Sequence, residues 1–150
     1  MTYSKTNTYR RARQMRHGTT VAEVAFIVPV VLLLLLGIAD CAQMIYAYDL
    51  VSEAARIGGR YAIVHGSGSS SPVGPTANDA NLQSYILNYA TVKTLNTSQL
   101  TVTSSWPMGA NDPTCPVTVT VTYNYPLIIG RLIGTPSVSL NGSTTMVITY

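Results

Sequence analysis

The most constraining stretch of this chain is residues 16–45, RHGTTVAEVAFIVPVVLLLLLGIADCAQMI. A basic, polar lead ends at Gly18. Glu23 follows as the only charge before residues 24–39, a run with no charged side chain and five consecutive leucines at 32–36. Extended from Val21 to Ala42, the apolar segment offers roughly twenty helical positions, about what a bilayer core requires. Pro29 would break a soluble helix. In a membrane helix a kink and neighbouring groups absorb its lost hydrogen bond. Gly37 lets another helix approach closely.

The charges support this reading. Residues 1–18 carry Lys5, Arg10, Arg11, Arg13 and Arg16 without an acid, a charge of +5. Residues 19–150 carry four bases against six acids, a charge of −2. The basicity therefore sits in the tail before the apolar run, where the positive-inside rule wants it on a cytoplasmic flank. It does not argue for nucleic acid as a partner. Residues 1–17 have no periodicity and read as a disordered leader.

The helix is expected to continue past the apolar run to about Val64. Residues 40–64 contain no proline, and apolar residues recur at near-helical spacing from Cys41 and Met44 to Ala62. Ala47, Val51, Ala55, Gly58 or Gly59, and Ala62 form a seam of small residues suited to close packing. Glu53 can pair with Arg56, and Arg56 and Arg60 share a face. Glu53, Arg56, Arg60 and Tyr61 are thus a candidate partner face. A helix from Thr20 to Val64 would be about 65–70 Å long at about 1.5 Å per residue, a spine rather than a simple anchor.

Residues 65–78, HGSGSSSPVGPTAN, read as a flexible loop. Asn78 or Asp79 then caps a second helix predicted to run from Asp79 to about Leu95, with Leu82, Ile86, Tyr89 and Ala90 as its apolar stripe. From Asn96 the period becomes two. Leu100, Val102 and Ser104 lead to Trp106. Val117, Val119, Val121 and Tyr123 alternate with threonines and Asn124, the pattern of a half-buried strand. A third strand is expected over residues 138–140 and 145–150, interrupted near Asn141 and Gly142. Residues 127–133 read as a short helix or an apolar loop. The fold class is therefore α+β: a long N-terminal transmembrane helical spine and a small domain with one further helix and a three-to-four-stranded antiparallel sheet.

Catalytic chemistry finds no foothold. His17 and His65 fall on opposite sides of the apolar run, so no metal site follows from them. No nucleophile-elbow pattern occurs, and the glycine-rich loop lacks the lysine of a phosphate-binding loop. The expectation is a protein that is no enzyme, without metal or cofactor. Cys41 and Cys115 are not expected to pair with each other.

The chemistry near Gly18 reads better as something done to the chain. A carboxylate at the depth of Glu23 costs up to about a few kcal/mol unless it finds a partner or is neutralised. Cutting the bond between Gly18 and Thr19 would create an ammonium one helical turn from Glu23, on the same or a neighbouring subunit. It would also remove the basic leader that pins the N-terminus in the cytoplasm. A signal anchor that is never cut accounts for the basic flank and the leucines but leaves Glu23 unexplained.

The segment GTTVAE, from Gly18 to Glu23, resembles the type IV prepilin cleavage motif, with glycine last in the leader and glutamate fifth in the mature chain. Residues 18–62 more specifically resemble the N-terminal domain of the TadE-like pseudopilin family. They share its proline within the apolar helix, its glycine and acidic residue at the helix end, its aromatic pair, and a closing AARIGGRYA at residues 54–62. Val24 departs from the phenylalanine common after the glutamate. The resemblance covers about 45 residues. It implies a minor pilin-like component of a tight-adherence (Tad/Flp) pilus assembly or secretion machine, cleaved by a membrane prepilin peptidase. Its partners would be other pilins or pseudopilins and inner-membrane assembly proteins.

The resulting division is a cytoplasmic leader at 1–18, a transmembrane helix at 19–42, a continuation of the helix at 43–64 and an extracytoplasmic α+β domain at 65–150. This places a single-pass protein in a bacterial inner membrane, surrounded by lipid and acting in a homo- or hetero-oligomeric assembly. The rival reading is an uncleaved, signal-anchored extracytoplasmic binding or adhesive module.

Overall fold

The computed structural model describes the backbone of residues 6–89, 92–130 and 134–149, and side chains from Thr20 onward. The chain divides into two compact units, residues 1–39 and 40–150. One helix, α1 (Thr6–Val64), contributes to both. The rest comprises α2 (Ala80–Asn88), two single 3₁₀ turns (Val92–Thr94 and Thr97–Gln99) and three strands, β1 (Leu100–Ser105), β2 (Pro116–Pro126) and β3 (Ser137–Val147). The α+β class and the N-terminal helical spine expected from the sequence are therefore present, with three strands in the sheet.

α1 begins earlier than the sequence suggested. The backbone from Thr6 to His17, read above as disordered, is helical, and Met1 to Lys5 lie outside the described residues. Residues 6–17 contain no glycine or proline and several good helix formers, so an existing helix propagates into them at little cost. The helix also runs through Pro29 without interruption.

The second unit is built on the amphipathic half of α1. Asp40, Ala47, Val51, Ala54, Ala55, Gly58 and Ala62 are buried, and from Ala47 onward they recur at the three- and four-residue spacing of one helix face, with Ala55 beside Ala54. The sheet has the order β1-β2-β3 and is antiparallel throughout. Val117, Val119, Val121, Tyr123 and Tyr125 alternate inward from β2, while its threonines face outward beside Thr101 and Thr103 of β1 and Asn141 and Ser143 of β3. Thr118 and Thr145 are hydroxyl-bonded across the strands at 2.9 Å, and Thr120 and Ser143 at 3.0 Å.

The small-residue seam of α1 is filled by the chain's own elements. A Cβ added at Gly58 would run into Ile86 of α2 and Val119 of β2. At Gly142 a Cβ would stand 2.8 Å from the Val51 carbonyl oxygen and 2.9 Å from Ser52 Cα. The close passage over the α1 backbone explains why β3 is continuous across Asn141 and Gly142, where a break was expected. Glycine interrupts a strand only when nothing repays its missing side chain, and here the helix backbone occupies that space.

α2 is shorter than the periodicity predicted. Asp79 caps it, its Oδ1 accepting from the N–H groups of Asn81 at 2.8 Å and Leu82 at 3.1 Å. The helix ends at Asn88 because Tyr89 turns extended, with φ −67° and ψ 138°. Val92 is then buried from a 3₁₀ turn, so the core takes a β-branched residue that the helix period would have assigned to a longer helix. The loop read as flexible is tied at several points. Val73 is buried, and its N–H donates to the His65 carbonyl at 2.8 Å. The Gly74 N–H donates to Asp79 at 3.0 Å, and Asn111 Nδ2 donates to the Val73 carbonyl at 3.3 Å.

Candidate functional site

The residues singled out in the sequence occupy two separate regions. Gly18 and Thr19 lie within the helical backbone of α1. Glu23 is exposed one turn beyond Thr19 and borders a shallow apolar hollow with Ala22, Phe26 and Ile27. From Val21 to Ile38 every large hydrophobic side chain is exposed, between 44% for Leu33 and 82% for Phe26. A helix apolar all round fits lipid on every side. It is the one helix among the described residues long and apolar enough to cross a membrane. Pro29 and Gly37 both fall in this stretch. Proline there removes the bond that the Ala25 carbonyl would otherwise accept.

The candidate partner face lies on the solvent side of α1 in the second unit. Glu53, Arg56 and Arg60 are exposed along one stripe. No ion pair joins Glu53 to Arg56 among the described residues. Tyr61 is drawn away from that stripe. Its ring stacks on His65 at 3.9 Å and on Tyr85 of α2 at 4.0 Å. His65 Nδ1 carries its proton toward the Tyr61 carbonyl, 2.8 Å away.

The strongest polar constellation centres on Asp40, which sequence reasoning noted only as an acid at the end of the apolar helix. Asp40 is 3% exposed. Its Oδ1 accepts from the Tyr125 hydroxyl at 3.0 Å. Its Oδ2 accepts from the backbone N–H groups of Ile128 at 2.9 Å and Ile129 at 3.2 Å. The Tyr125 hydroxyl also reaches Gln43 Oε1 at 3.4 Å. Burial, then the hydrogen bond to Asp40 and that carboxylate's charge, push the Tyr125 hydroxyl from 10.0 up to about 12. A buried carboxylate is tolerable only when its oxygens are satisfied, as they are here. The arrangement clamps the turn after β2 onto α1.

Two local signals mark this clamp. Asp40 stands on the same helical stripe as Met44, Ala47 and Val51, so it faces inward. Tyr125 is the next inward position after Val117, Val119, Val121 and Tyr123. Their meeting, across 85 residues of chain, is a tertiary fact.

Cys41 is exposed and Cys115 half-buried, and both are free thiols. Among the described residues no three of His, Cys, Asp and Glu gather closely enough to hold a metal ion.

Residues 18–60 match the family model described as TadE-like protein. This is the family whose resemblance the N-terminal motif carried, and the match begins at Gly18 itself. No curated protein and no solved structure matches the chain.

Proposed function

We propose, from the TadE-like segment at residues 18–60, that this chain is a Tad pilus-associated pseudopilin: a structural subunit, not an enzyme. It is held in the inner membrane by residues 19–42 with the basic leader in the cytoplasm. A prepilin peptidase cuts after Gly18, and the new Thr19 ammonium meets the Glu23 carboxylate of its own or a neighbouring helix. The carrying observation is that the family match starts at the glycine the cleavage motif needs and takes in the exposed apolar helix with Glu23 at its head. Glycine suits that point physically as well. The bond to be cut lies in helical backbone, and glycine lowers the cost of opening a helix locally by about 1 kcal/mol relative to alanine.

Assembly partners are other pilins and pseudopilins and the inner-membrane machinery, with the exposed stripe of Glu53, Arg56 and Arg60 available to them. Mass spectrometry of the purified protein tests the reading. The expected mature chain begins at Thr19 when the peptidase is present. A chain that keeps Met1, with or without the peptidase and regardless of Gly18→Ala, favours the uncleaved signal-anchored module instead. With Glu23→Ala, cleavage is expected to persist while assembly fails. Normal piliation in that variant removes the assembly role of Glu23.

A further inference from the structure

We infer that the outer face of α2 and the end of α1 form a binding cleft for neutral carbohydrate. The cleft is shallow and open to solvent, with a volume of about 420 Å³. Tyr61, Tyr85 and Tyr89 supply its rings, and Asn81, Asn88, Ser71 and Ser84 its polar groups. None of these residues carries a charge. α2 itself, ANLQSYILN, has no charged residue, although its outer side faces water. Solvent faces of helices ordinarily carry charges. This one carries aromatic rings, amides and hydroxyls instead.

The rings are held in place before any ligand arrives. Tyr61 is sandwiched between His65 and Tyr85, with interplanar angles of 23° and 18°. Tyr85 remains 39% exposed and Tyr89 38% exposed. Their centroids are 6.4 Å apart, tilted by 48°, a separation of the order of one sugar ring. Fixed rings reduce the ordering cost of binding. Sugars present apolar C–H faces that pack on such rings and hydroxyls that seek amides and hydroxyls.

The polar groups keep capacity to spare. Asn81 makes no side-chain hydrogen bond among the described residues. Asn88 Nδ2 donates to the Ser84 carbonyl at 2.8 Å, which leaves its Oδ1 to accept. The Ser84 hydroxyl donates to the Ala80 carbonyl at 2.7 Å and keeps its lone pairs. Ser84 and Asn88 also border a second hollow of about 680 Å³ with Leu87, Leu95, Asn96 and one charged residue, Lys93, whose ammonium can donate to a sugar hydroxyl, so a chain of sugar units can continue across α2. The site lies within residues 40–150 and stands whether or not Gly18 is cut.

The test uses the full chain in phosphatidylcholine nanodiscs, because maltoside and glucoside detergents belong to the proposed ligand class. Chitohexaose, cellohexaose and mannohexaose are titrated by calorimetry. At least one is expected to bind with a Kd of about 1 mM or tighter. Tyr85→Ala is expected to weaken that binding about tenfold, whereas Tyr85→Phe, which keeps the ring face, holds it within about twofold. Should Tyr85→Ala fail to fold, Asn81→Ala takes its place, since it removes no internal hydrogen bond, and a loss of about fivefold is expected. No binding of any of the three sugars up to about 10 mM overturns the proposal. So does binding that survives the folded Tyr85→Ala, or Asn81→Ala in its place, unchanged. Equal loss in Tyr85→Phe and Tyr85→Ala overturns it too, because the ring face then carries nothing.

Discussion

At the scale of single residues, Asp40 is the one buried charged side chain among the described residues. Three donors converge on its buried carboxylate, one from the end of β2 and two from the turn that follows. Asp40→Ala removes the acceptor of the Ile128 and Ile129 N–H groups, leaves the Tyr125 hydroxyl only Gln43 Oε1 at 3.4 Å, and is expected to cost about 3 kcal/mol in chemical unfolding. The same variant reads out on Tyr125. With its hydroxyl raised from 10.0 to about 12, the folded state favours the neutral phenol. That contribution to stability is complete below pH 10 and is lost as the pH rises through about 12. In Asp40→Ala the Tyr125 hydroxyl should fall part of the way back toward 10.0, since burial, its largest cause, remains. Absorbance titration against Tyr125→Phe measures this. An unmoved titration in Asp40→Ala would show that the carboxylate does not hold the phenol.

At the scale of elements, the crossing of β3 over α1 decides the packing. Gly142 lies against the Val51 and Ser52 backbone, and backbone cannot swing aside as a side-chain tip can. Gly142→Ala is therefore expected to destabilise the protein by about 1–3 kcal/mol, measured by thermal or urea unfolding, without altering helix content. An unchanged midpoint would mean that the crossing has slack. The strands show where local patterns suffice. The alternation over Val117 to Tyr123 fixes one face inward whatever the partner, because side chains along a strand have period two. The helix α2 shows where they fail. Its periodicity continues past Asn88, but the backbone turns at Tyr89 and Val92 enters the core from a 3₁₀ turn.

At the scale of the whole chain, the two units differ in what they need from their surroundings. Residues 40–150 enclose a core drawn from α1, α2 and all three strands. The large hydrophobic side chains between Val21 and Ile38 are all exposed. A fragment of residues 40–150 is expected to fold alone in buffer, with cooperative unfolding and the helix and sheet signals of the intact chain in circular dichroism. The full chain should partition with membranes. A fragment that melts without cooperativity would show that the second unit depends on residues 1–39.

The sequence by itself determined the features that follow from local composition. The basic stretch at residues 1–18, the uncharged run with Glu23 at its head, the likeness to the TadE-like family from Gly18 and the alternating strand are all written in neighbouring residues. Hydropathy and charge act at short range along the chain. The small-residue seam was equally legible as a surface for close packing, but its occupant was not. Only the tertiary structure decided that β3 and α2 fill it, that Asp40 meets Tyr125 and the turn beyond, and that Tyr61 leaves the charged stripe to stack between His65 and Tyr85. Those outcomes depend on which side chains arrive together from distant parts of the chain. A buried carboxylate and an exposed one are the same letter until their hydrogen-bond partners are in place.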